Sequence, residues 1–122
     1  MAFNLFSVSL YIDGIITADH TAYFDVPCDC SLVAVSAAAN SASTGGTIDV
    51  GSAADTDGYL DGKDIGAQDG ALYDLDDFNG ALVSNQGDDY PHLSKGDTVA
   101  VVVIDAETSP TGTHVVLCFT PG

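Results

Sequence analysis

The chain has 122 residues, 46% of them hydrophobic, and a formal net charge of −16, with seventeen aspartates and one glutamate set against Lys63 and Lys95 and no arginine. That length suits a single domain, 1–122, built on one core. Phosphate backbones and anionic bilayers recruit lysine and arginine, so the composition speaks against nucleic acid and against a membrane surface.

The first segment, MAFNLFSVSLYIDG, carries no basic stretch and no long apolar core. It does not read as an export signal, and the protein is expected to act without secretion. Phe6, Val8, Leu10 and Ile12 share one face of a strand there, with Ser7, Ser9 and Tyr11 on the other. Asp13-Gly14 reads as a turn. A second strand, TAYFDVP, groups Ala22, Phe24 and Val26 and ends at Pro27, which has no N–H to donate. Leu32 to Ala38 forms a third strand, joined through NSASTGG to a fourth at Thr47 to Gly51, and the two together read as a long hairpin.

An acidic, Asp/Gly-rich insertion follows at about 53–93. Beyond it, the Lys95-Gly96-Asp97 turn feeds a strand from Thr98 to Ala106. A tip loop, TSPTGT, leads to a last strand, THVVLCFTP. Aspartate favours turns where glutamate, lysine and arginine favour helices, so little material remains for amphipathic helices. Short β-branched and aromatic runs between Gly, Ser, Thr and Asp clusters predict an all-β fold: a single-domain antiparallel β-sandwich, jelly-roll-like. No apolar run approaches the ~20 residues that cross a bilayer as a helix.

The last two strands are apolar on both faces. Val99, Val101 and Val103 oppose Ala100, Val102 and Ile104, and His114, Val116 and Cys118 oppose Val115, Leu117 and Phe119. A sandwich buries one face of each sheet, so something else is expected to cover the other, either the acidic segment or a second subunit. Val99, Val101 and Val103 are the candidate subunit interface.

The order of alternating first strand, LVAVSAAANSASTGGTIDVG, AADTDGYLDGKDIG, KGDTVAVVV and THVVLCF resembles the small jelly-roll or β-sandwich virion proteins of tailed bacteriophages, in particular capsid decoration (cement) proteins. The resemblance covers most of the chain in outline and carries over no residue-level site. It implies a protein without catalysis, made in the host cytoplasm and seated on the capsid exterior. Its partners would be the major capsid protein and its own copies, commonly as a homotrimer at or near three-fold positions. A phage tail or fibre component shares this outline.

Residues 55–80 hold eight aspartates. Asp55 and Asp57 meet the first two ligand offsets of an EF-hand, but Tyr59 stands at the third and Leu60 where glycine is required. Asp55, Asp57, Asp61 and Asp64 are the candidates for an irregular Ca²⁺ site. The competing reading is a solvated acidic loop whose Asp-Gly pairs set tight turns. Its interleaved Tyr59, Leu60, Ile65, Leu72, Tyr73, Leu75 and Phe78 are expected to pin it to the sandwich.

A Ca²⁺-dependent carbohydrate-binding jelly roll is the alternative function, with Tyr59, Tyr73 or Tyr90 as stacking platforms; the absence of tryptophan counts against it. Catalysis is not expected. His20, His92 and His114 are far apart in sequence, neither G-x-S-x-G nor H-E-x-x-H occurs, and Asp76-Asp77 or Asp88-Asp89 would need a cleft to work as an acid/base pair. Cys28, Cys30 and Cys118 read as reduced thiols packed as small hydrophobes, with a bridge from Cys28 or Cys30 to Cys118 open if those segments pair.

Overall fold

A computed structural model describes residues 5–15, 19–40, 46–65, 70–74, 77–78, 90–104 and 111–121. Among them are nine strands: β1 (Phe6–Ile15), β2 (His20–Asp25), β3 (Cys30–Ala38), β4 (Thr47–Ser52), β5 (Leu60–Asp64), β6 (Ala71–Tyr73), β7 (His92–Leu93), β8 (Thr98–Ile104) and β9 (Thr111–Pro121). The fold is all-β. One sheet has the order β1-β9-β3-β6, with β7 also paired to β3, and the other has the order β2-β8-β4-β5. All pairings are antiparallel. The chain changes sheet at every step except β4 to β5 and β6 to β7, which is the strand order of a jelly roll.

Period-two alternation builds the core. Val99, Val101 and Val103 of β8, with Ile48 and Val50 of β4, face Leu32 and Val35 of β3 and Val115, Leu117 and Phe119 of β9, and all are 0–1% exposed. Phe119 ties the layers together: its ring stacks on Phe6 of β1 at 5.1 Å and meets Phe24 of β2 edge-on at 6.0 Å. Full burial of a phenylalanine contributes about 3 kcal/mol.

Two expectations are corrected. β3 and β4 do not form a hairpin: β3 pairs with β9, β6 and β7, and β4 with β8 and β5. A two- to five-residue turn keeps strands in one sheet, whereas eight residues separate β3 from β4, enough chain for the next strand to join a layer ~10 Å away. Asp13-Gly14 is not the end of the first strand, which continues to Ile15 and absorbs the pair in a register shift between Ile12 and Ile15. The acidic stretch at 53–93 supplies β5 to one sheet and β6 and β7 to the other. Leu60, Ile65 and Phe78 anchor it in the core. Ala106 and Leu75 lie outside the described residues.

Candidate functional site

Many of the aspartates have structural work. Backbone N–H groups of Lys95, Ser94 and Asp74 donate to the carboxylates of Asp29, Asp97 and Asp77 at 2.8, 2.8 and 2.9 Å. The Thr98 hydroxyl donates to Asp25 at 2.6 Å. A short side chain reaches its neighbouring backbone where glutamate overshoots, so the excess of aspartate over glutamate is partly a consequence of turn chemistry.

The acidic stretch is organised around β4. Its ladder with β5 shifts register between Ile48 and Val50. At that irregularity Gly62, with φ +63°, donates its N–H to Asp49 Oδ1 at 2.7 Å. The β4–β5 link folds back on itself: the Asp55 carbonyl accepts from Ser52 N and Gly58 N, both at 3.0 Å, and Tyr59 N donates to the Val50 carbonyl at 2.8 Å. This turn lies over Gly51, where an added Cβ would collide with the Asp55 carbonyl oxygen. Ala100, the cross-strand partner of Gly51, is fully buried. The acidic segment thus covers one end of the outer face of β8, as expected for it, but leaves Val102 half-buried.

Carboxylates crowd this side of the molecule. Burial pushes the Asp49 carboxyl above its ordinary value, Gly62 N–H pulls it back, and Asp61, Asp57 and Asp19 push it up again by like-charge repulsion. A hydrogen bond to the Asp57 carboxyl is the first cause of the rise at Asp55. The four candidate Ca²⁺ ligands are therefore divided. Asp55, Asp57 and Asp61 share this electrostatic neighbourhood, joined by Asp49, which the EF-hand spacing could not reveal. Asp64 stands at the opposite end of β5, across from Thr47, with its carbonyl accepting from the Tyr73 hydroxyl. Among the described residues, no group of three or more His, Cys, Asp or Glu side chains is arranged to hold a metal ion.

The outer face of the other sheet is different. Its central row runs Ser9, Val116, Ser36, Leu72 across β1, β9, β3 and β6; the rows beside it are Ser7, Cys118, Ala34 and Tyr11, His114, Ala38. Among the described side chains, no outward strand position of this sheet is acidic. A shallow depression of about 440 Å³ lies on it, floored by Ser36, Ala38 and Val116 and walled by Leu72 and His114. Leu72 is 67% and Tyr11 55% exposed, and the Tyr11 ring meets His114 edge-on at 6.0 Å.

Val99, Val101 and Val103, the candidate interface, belong to the core between the sheets. Their side chains are spent on intramolecular packing, because the alternation that was visible in the strand did not reveal which face turns inward. The tyrosines named as stacking platforms are likewise packed against the core: Tyr73 donates to Asp64, and Tyr90 meets Phe78 edge-on at 6.1 Å.

His20 and His114 are exposed. His92 Nδ1 lies 2.6 Å from Ser31 Oγ, across the β3–β7 pair. Ser31 is only 5% exposed, so the contact works as a strand-to-strand tie. The acid/base candidates Asp76, Asp88 and Asp89 lie outside the described residues.

All three cysteines are free. Cys30 faces the core and Cys118 the outer side of the same sheet, so the possible bridge between them is not formed. Burial first, then Cys28, Asp29 and Asp97, push the Cys30 thiol up and keep it protonated.

Fold and surface together define a jelly-roll β-sandwich with one acidic outer face and one whose described strand positions are uncharged. No protein-family model matches the chain, and no curated protein matches it either.

Proposed function

We propose that the protein is a structural virion component, a decoration or cement protein that binds the exterior of a tailed-bacteriophage capsid as an oligomer, most simply a homotrimer, and reinforces the shell. It is made in the host cytoplasm and joins the preformed particle through the major capsid protein, without catalysis. Jelly rolls serve both viral coats and lectins, so the fold alone does not choose between them. The observation that carries the reading is the division of the surface. Among the described side chains, the strand positions of one broad face are free of carboxylates and Leu72 and Tyr11 are open to solvent there, while the other face is crowded with aspartate. Such a molecule has an assembly face and a face that keeps free copies soluble.

The test is co-sedimentation of the purified protein with empty tailed-phage shells stripped of their outer proteins. Saturable binding, with shells that then survive higher temperature, is expected. Absence of binding to such shells, together with Ca²⁺-dependent retention on a glycan array, would replace this function with the carbohydrate-binding one.

A further inference from the structure

We infer that the uncharged outer face formed by β1, β9, β3 and β6 is the surface on which the protein meets a second copy of itself. The inference rests on the self-association in the reading above, but not on the capsid shell.

Electrostatics selects the face on which two copies can meet. Two copies at −16 repel, and contact through the aspartate-rich faces would bring Asp49 and its neighbours against their own images. Sheets stack about 10 Å apart, so contact through the uncharged faces leaves the two acidic faces roughly 30 Å apart. That is more than three Debye lengths at physiological ionic strength, where each is about 8 Å. A basic partner would gain most on the acidic side; a copy of the same chain gains most on the other.

Shape points the same way. Leu72 projects beside the depression floored by Ser36 and Val116, so a knob and a hole lie on one patch, as a self-complementary contact requires. The small side chains Ser9, Ser36 and Ala38 let a second sheet approach closely. Three strands of seven residues and the three-residue β6, about 4.8 Å apart and about 3.3 Å per residue, give a flat area of roughly 400 Å². A tight complex buries about 800 Å² per partner, so a patch of this size suits a weak, reversible association.

Sedimentation velocity from low micromolar to several hundred micromolar protein tests this, on the wild type, Val116→Asp, Leu72→Asp and, as a control on the acidic face, Thr21→Asp. Circular dichroism checks that each variant is folded. The wild type and Thr21→Asp should shift from one subunit to two, because a self-complementary patch closes at a pair, and Leu72→Asp should need at least tenfold more protein to do so. Leu72 is mostly exposed, so this variant keeps the test valid if Val116→Asp fails to fold. A wild type that stays monomeric throughout, or a Leu72→Asp variant that associates like it, would overturn the inference. If shells bind the protein while Leu72→Asp leaves the oligomer intact, only this inference fails; if the oligomer depends on Leu72 and shells do not bind, only the capsid reading fails.

Discussion

Val116 and Val102 occupy matching places, each outward-facing and half-buried on a strand flanked on both sides within its sheet. Val116 has Ser9 and Ser36 beside it; Val102 has Thr21 and Asp49. At Ala100, two residues before Val102, the turn after β4 folds back over the strand. Nothing described in the chain does the same for β9. One doubly apolar strand is thus capped from within and has Asp49 at its side, while the described positions beside the other carry no charge. The difference teaches that an apolar outer stripe can be satisfied by the chain's own loop in one place and left for association in another.

The largest expected effect separates inside from outside on one strand. Val101 is 1% exposed, and an unpartnered charge buried there costs several kcal/mol, comparable to the whole stability of a small domain. Val101→Asp should therefore abolish the folded circular dichroism spectrum, while Val102→Asp, one residue further on, should fold with a loss of about 1 kcal/mol.

Next is Gly51→Ala, which attacks the internal cap alone. Its methyl group would meet backbone rather than a yielding side chain, so urea unfolding should show a loss of about 3 kcal/mol. Ser9→Ala on the uncharged face should stay within about 0.5 kcal/mol of wild type. Equal losses at the two positions would erase the contrast. Ser31→Ala, which removes the tie to His92, should cost about 1 kcal/mol.

Protonation addresses the acidic face. Asp49 and Asp55 hold their carboxyls above the ordinary value, so the folded state binds their protons more readily than the unfolded chain does. Their contribution to stability therefore grows as the pH falls through the folded values towards the unfolded one near 3.9, and is absent once both states are ionised at higher pH. Melting temperature should rise on mild acidification. Asp49→Asn keeps an acceptor for Gly62 N–H, so it should raise the melting temperature at neutral pH and flatten that rise. A melting temperature that falls steadily from neutral pH would contradict the crowding. The smallest effect is screening: moving from low salt to about 0.5 M NaCl, where the Debye length is below about 5 Å, should raise the melting temperature slightly.

Much of this fold could be read in the residues. Alternation in SVSLYI, AYF, VAVVVI and THVVLCF marked strands, and the shortage of Glu, Lys and Arg argued against helices. Of the Asp-Gly pairs, Asp57-Gly58 closes a turn, with Gly58 N–H donating to the Asp55 carbonyl, whereas Gly62 lies inside β5 with the positive φ that glycine adopts without steric cost. The Asp49–Gly62 contact joins residues thirteen apart, which no local spacing rule relates, and so the acidic cluster formed around an aspartate that the motif search had not selected.

Local sequence determined where strands form, because side-chain alternation and turn chemistry act over a few residues. Only the tertiary structure decided which sheet each strand joins and which of two apolar faces turns inward. A strand such as TVAVVVI is hydrophobic on both sides, and its orientation is set by Ile48, Leu32 and Leu117, contributed by strands distant in the chain. The burial of Val101 and the openness of the face around Val116 follow from that choice.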